Sequence, residues 1–168
     1  MVTLGPENGT LVVKTGRTGA AAKAGHNLVI EVTAWQATFD EASVTLTVDP
    51  TSLRVREGSG GMQALGDDDK ANIEQTIDDE VLKRGKIEFR STAVETEGDL
   101  LNVRGELTLG GATAPIAFEL TLDGAKLAAS AVVKQSDFGL TPYSTLFGTL
   151  KVVDEVEVVL DATLPQSL

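Results

Sequence analysis

Apolar and polar residues alternate with a period of two over most of the chain, the pattern of β-strands that bury one face. Residues 10–15 (TLVVKT), 28–39 (LVIEVTAWQATF), 43–48 (SVTLTV) and 52–56 (SLRVR) form a first group. Residues 85–96 (GKIEFRSTAVET), 100–109 (LLNVRGELTL), 115–122 (PIAFELTL), 126–135 (KLAASAVVKQ) and 149–164 (TLKVVDEVEVVLDATL) form a second. The pattern therefore predicts eight or nine strands. The links between them are short and carry turn residues: Asn8-Gly9, Glu97-Gly98-Asp99, Gly110-Gly111 and Asp123-Gly124. Short links of this chemistry join antiparallel neighbours.

One segment departs from period two. In residues 67–82 (DDDKANIEQTIDDEVL) the apolar positions Ile73, Ile77 and Val81 recur four apart, which predicts a helix with one stripe against the body of the protein. Asp67 is placed to cap it, with Asp68 and Asp69 in the first turn, where the helix dipole favours negative charge. Gly58, Gly60 and Gly61 lead in, and Lys83, Arg84 and Gly85 close the far end.

An antiparallel meander of this length removes its edges by closing into a barrel, with a β-sandwich as the competing architecture. Small residues on expected inward positions favour the barrel. Leu127, Ala129, Ala131 and Val133 alternate along one strand, and Ala34 and Ala162 repeat the theme. An eight-stranded barrel is just wide enough to be filled by side chains or, where some are small, to hold one elongated ligand.

The chain's 168 residues are enough for one domain, 1–168, with a core of its own. No cysteine is present, so disulfides, thiolate zinc sites, iron–sulfur clusters and cysteine nucleophiles are excluded. The formal charge of −11 repels phosphate backbones and anionic lipid surfaces, which argues against nucleic acid as a partner. The first residues, MVTLGPENGT, have neither a basic nor an apolar leader region, and no run approaches the ~18 apolar residues of a membrane span. A cytoplasmic location without stable membrane insertion is the expectation.

Several of these segments carry a recognisable signature. The stretch 82–120 holds Gly105, Leu107, Thr108, Gly111, Thr113 and Pro115 in a strand–hairpin–return arrangement. Near the end, Asp137-Phe138-Gly139 is followed by Gly148 and by Val152-Val153-Asp154-Glu155-Val156, and Gly25-His26-Asn27-Leu28 opens the second strand. In order and spacing these motifs resemble the YceI-like family over nearly the whole chain. The Lys/Arg-Tyr-Pro common before the aromatic strand is replaced by Lys83-Arg84-Gly85-Lys86. The resemblance implies an all-β, lipocalin-like antiparallel barrel of about eight strands with one helical insertion near 67–82. It also implies a lumen that binds long apolar molecules such as polyisoprenoids. Many members of the family are exported.

Few residues have the partners that catalysis needs. His26 is the sole histidine, and neither a second histidine nor a dedicated cation loop accompanies it, so no metal site and no cofactor are expected. The missing partners favour a structural or ligand-orienting imidazole over a catalytic base. Ser59, in Glu57-Gly58-Ser59-Gly60-Gly61, lacks the glycine two residues earlier that a nucleophile elbow requires. Asp137-Phe138-Gly139 stands without the other elements of a kinase and reads as a turn. The glycines at 16, 19 and 58–61 are not followed by the Gly-Lys-Ser/Thr of a phosphate loop.

Between Glu7 and Glu31 no acidic residue occurs, whereas Lys14, Arg17, Lys23 and His26 do. Arg17 and Lys23 are accordingly candidate contacts for an anionic head group at a barrel mouth. His26, Leu28, Ile30, Trp35, Phe89, Phe118, Phe138, Tyr143 and Phe147 are the candidate lumen and mouth residues, the last three on a bent segment marked by Gly139, Pro142 and Gly148. The expected function is binding or carriage of an apolar or amphiphilic small molecule, of polyisoprenoid or long-chain acyl type, without covalent chemistry. An enzyme acting on a lipid-like substrate with His26 as base, and a stress-related interaction protein, are the alternatives. Pairing into a homodimer through exposed strand faces is compatible with the pattern.

Overall fold

Period-two alternation becomes an antiparallel sheet that runs in a complete circuit. The computed structural model describes residues 1–18, 27–40, 42–59, 67–77, 85–140, 144–145 and 150–165. The strands are β1 (Val2–Leu4), β2 (Gly9–Thr15), β3 (Arg17–Thr18), β4 (Asn27–Val32), β5 (Trp35–Phe39), β6 (Val44–Val48) and β7 (Leu53–Ser59). Then follow α1 (Asp67–Thr76), β8 (Ile87–Glu97), β9 (Leu100–Leu109), β10 (Ala112–Asp123), β11 (Lys126–Lys134), a 3-10 turn (Gln135–Phe138), β12 (Ser144–Thr145), β13 (Leu150–Val152) and β14 (Glu155–Thr163).

Eleven strands form the main sheet in the order β1-β5-β6-β8-β9-β10-β11-β14-β2-β4-β7. Its two ends belong to the same stretches of chain. β4 and β5 are halves of one bent strand, and across the bend Thr33 N–H donates to Ser52 O (2.9 Å) and Asp49 N–H to Ala34 O (3.0 Å). These bonds continue the ladder from Val32–Leu53 to Trp35–Val48, so β6 and β7 form one bent partner strand. On the other side, β1 and β2 both pair with that same bent strand, interrupted by the turn at Gly5–Asn8. Counted this way there are eight long strands in sequential order, and the last, β14, returns to pair with β2. That is the expected barrel of about eight strands.

Alternation places Leu101, Val103 and Leu107 of β9, Leu120 of β10, Leu127 and Val133 of β11, and Ala162 of β14 in one buried cluster with Val2, Leu4, Ala37 and Phe39. β1 escapes the period-two reading because three residues are too few to display a period, yet Val2 and Leu4 are among its most deeply buried side chains. Three further points differ from the sequence expectation. Ala34 sits exposed in the bend, and Ala37 takes the buried position instead. The predicted strand 149–164 is broken at Val153–Asp154, because the Val153 N–H turns to Gly16 O (3.1 Å). Its first part, β13, joins β12 and β3 in a small separate sheet.

The helix opens at Asp67, and Ile73 and Ile77 are half-buried as their spacing predicts; Val81 lies outside the described residues. α1 packs on β7, which among the described residues has no ladder partner on its outer side. Glu74 Oε2 accepts the Val55 N–H (2.8 Å), and Lys70 Nζ donates to Arg56 O (3.4 Å). Helix side chains thus satisfy backbone groups that a neighbouring strand would otherwise bond.

Candidate ligand-binding lumen

The interior wall is built by facing positions on adjacent strands. One row runs Ala131 (β11), Val158 (β14), Val13 (β2) and Ile30 (β4), each opposite the next in the ladder. A parallel row runs Ala129, Leu160, Leu11 and Val32. All eight point inward, yet Val13, Ala129, Ala131, Val158 and Leu160 are only half-buried. Ile30 and its partner Val55 are buried but stand outside the main cluster. Inward-pointing apolar side chains that stay half-open are less covered by their neighbours than those of a close-packed core. Two alanines on β11 contribute directly, since each removes the volume of a larger aliphatic chain from the wall.

On the opposite wall the rings of Phe89 (β8) and Phe118 (β10) meet at 5.3 Å with planes tilted by 58°, a favourable aromatic geometry. They reach one another across β9, where Gly105 provides the room. A Cβ on Gly105 would lie 2.6 Å from Phe89 Cζ and 2.3 Å from Arg90 O. A bulge between Ser91 and Ala93 lies opposite this glycine, and the Ser91 hydroxyl accepts the Val44 N–H (2.9 Å). Gly105, chosen in the sequence as a motif residue, is thus there for close approach.

Phe138 is held by the corner after β11. The Asp154 carboxylate accepts both the Ser136 N–H (2.8 Å) and the Ser136 hydroxyl (2.5 Å). The Ser136 hydroxyl does most to hold the Asp154 carboxyl below the usual carboxylate range; desolvation opposes it, and the Ser136 backbone N–H adds to the lowering. Gln135 is buried and donates through Nε2 to Val153 O (3.3 Å). Gly139 closes the turn at φ +70°, a left-handed conformation suited to glycine. The outcome is that Phe138, 2% exposed, packs in the core. Asp137-Phe138-Gly139 is a turn, as the sequence indicated.

Among the predicted site residues, Leu28, Ile30, Trp35, Phe89, Phe118 and Phe138 fall on inward or buried positions. Leu28 sits at the end of the wall, where its N–H donates to the Thr15 hydroxyl (3.2 Å). Arg17 lies in β3, paired with Val152 of β13 and two residues beyond Thr15. His26, Lys23, Tyr143 and Phe147 lie outside the described residues. Val13, Val156, Val158 and Leu160 line the same wall and were not singled out; their alternation with Lys14, Glu155, Glu157 and Asp161 was the available signal.

Among the described residues no group of three or more His, Asp or Glu side chains converges as a metal site. No helix among them is long and apolar enough to cross a membrane. A depression of about 360 Å³ is lined by Thr92, Arg104, Gly105, Pro115, Ile116 and Ala117, of which Thr92, Arg104, Pro115 and Ala117 are exposed.

A sequential antiparallel barrel with an apolar interior and a helix over one strand edge defines a lipocalin-like class of protein. Within that class, a YceI-like domain profile matches residues 8–164. The chain belongs to the YceI-like family. Among solved structures it is similar to Burkholderia cenocepacia BcnA, with 20% identity over 90% of this chain and 94% of that one, at a TM-score of 0.59. It is also similar to a mutant Campylobacter jejuni YCEI protein crystallised with a monobromobimane guest, with 14% identity over 82% and 85% of the two chains, at a TM-score of 0.62. A further C. jejuni YCEI structure, one that crystallises with large solvent channels, matches at 15% identity, the same coverage and a TM-score of 0.59. No curated protein matches the chain. At these identities the structural neighbours establish the fold.

Proposed function

We propose that the protein binds and carries an amphiphile with a long apolar tail, of polyisoprenoid or long-chain acyl type, in the barrel lumen and without covalent chemistry. The observation that carries this reading is the wall of inward-facing but half-open apolar residues, Val13, Ala129, Ala131, Val156, Val158 and Leu160. A monomer that had no use for this space would gain stability by replacing the alanines with larger aliphatic residues, as close-packed interiors do. A tail would supply roughly 0.8 kcal/mol per buried methylene, less the cost of ordering the chain.

Family membership and the lipocalin-like topology support the same reading. Arg17 and Lys23 are proposed to meet an anionic head group, and His26 to orient it, at the end of the lumen marked by Thr15 and Leu28. Titration with a fluorescent prenyl or acyl probe tests the proposal. Saturable binding at micromolar concentration or tighter, competed by unlabelled lipid, is the expected result. No binding at those concentrations refutes it.

A further inference from the structure

Most buried or inward-facing polar side chains of the barrel have a partner. Thr15 accepts from Leu28 N–H, and Ser91 accepts from Val44 N–H. The Ser52 hydroxyl donates to Asp49 O (2.7 Å), with Ala34 O at 3.2 Å, and Gln135 donates to Val153 O. Among the described residues, one buried side-chain donor is left over. The indole Nε1–H of Trp35 has no hydrogen-bond partner, and the residue is 6% exposed.

An indole offers a donor and no acceptor, and buried tryptophans usually find a partner for it. Leaving such a group unpaired is costly relative to leaving it in solvent. A phenylalanine would fill the same apolar space without that cost. The nitrogen is closed off from bulk solvent in this packing. Trp35 opposes Val48, which opposes Ile87 and then Leu109, and of these Ile87 and Leu109, with nearby Leu46, are half-buried. On the same face, two residues along β5, stands Ala37, whose methyl leaves the indole little competition for room.

We infer that the Trp35 indole N–H is a recognition donor for an oxygen acceptor carried on the buried part of the lumen ligand. This rests on the reading of the barrel as a ligand site and narrows it. The preferred ligand is an apolar chain that bears a carbonyl, ether or hydroxyl oxygen within the barrel, in contrast to a hydrocarbon whose polar atoms all lie at the mouth. Insertion of the chain parts the half-buried neighbours and brings the acceptor to the nitrogen. A chain without an acceptor fills the same space and leaves the donor unpaired.

The chain's single tryptophan makes the test direct. A sixteen-carbon methyl ketone and the alkane of equal length, each delivered from cyclodextrin, are added to the ¹⁵N-labelled protein, and the one indole N–H resonance is followed. The ketone is expected to move that proton downfield, and the alkane is not. In displacement of a fluorescent acyl probe, Trp35→Phe is expected to weaken the ketone about five- to tenfold and the alkane less than twofold, the scale of one hydrogen bond. An indole proton unmoved by saturating ketone, or equal loss for both probes, overturns the inference while leaving the binding function intact. Failure of both probes to bind the wild-type protein overturns the inference and the binding function together. Should Trp35→Phe not fold, the wild-type spectrum decides alone.

Discussion

The ring of Phe89 occupies the space that a side chain on Gly105 would need, with Cζ 2.6 Å from the ideal Cβ position. Backbone stands just as close, since Arg90 O lies 2.3 Å from the same point. Gly105→Ala therefore has to displace both a strand and an aromatic ring, and overpacking of this kind costs about 1–3 kcal/mol or more. The urea midpoint is expected to fall with an unchanged m-value. A variant as stable as wild type would mean that β8 and β9 shift freely here.

The corner that holds Phe138 predicts a response to acid. Hydrogen bonds from Ser136 lower the pKa of Asp154 in the folded state. A group depressed on folding adds stability that is fully present above its unfolded value and is lost as pH falls through the folded one. The contribution should persist down to about pH 4 and fade below it. Asp40, through the Ala42 N–H and the Ser43 hydroxyl, and Asp49, through the Thr51 hydroxyl, act with the same sign. Thermal melts of Asp154→Asn are expected to start lower at pH 7 and to lose less than wild type between pH 5 and pH 2.5. Parallel acid limbs would show that the corner does not sense protonation.

Glu74 predicts a local effect at the sheet edge. Its carboxylate is the acceptor for the Val55 N–H, and the helix it belongs to lies over β7. Glu74→Ala removes the acceptor and should speed hydrogen exchange at Val55 at least tenfold, with a global cost of about 1 kcal/mol. Exchange at Ile30, inside the neighbouring strand, should change far less. Unchanged protection at Val55 would show that the helix covers the edge without bonding it.

Much of this architecture was legible in the alternation of residues. Leu127, Ala129, Ala131 and Val133 face inward and their odd-even partners outward, because period two is a property of the strand itself. The bend at Thr33–Ala34 was not legible, since it is fixed by bonds to Asp49 and Ser52 across the hairpin. The break at Val153 depends likewise on Gly16, far away in sequence. For the interior wall, alternation put Leu28 and Ile30 on inward positions and aromatic character singled out Phe89 and Phe118, but Val13 and Val158 were passed over, because their side chains look like ordinary core until the half-open wall is seen. The unpaired indole of Trp35 has no signature in sequence at all, because partnership is decided by three-dimensional packing. The residues around His26 lie outside the described structure, so its proposed role rests on the charge pattern alone.

The central claim is that the space beside Ala131 and Val158 belongs to a ligand. The direct measurement is organic extraction and mass spectrometry of the purified wild-type protein and of Ala131→Phe, side by side. A phenyl ring at 131 fills the gap, so the variant is expected to melt within a few degrees of wild type and to carry at most one tenth of its lipid. Wild-type protein that yields a stoichiometric long-chain lipid, and a folded variant that does not, is the predicted result. Wild-type protein that yields no lipid and takes none up on incubation, or a variant that retains its full complement, would contradict the account.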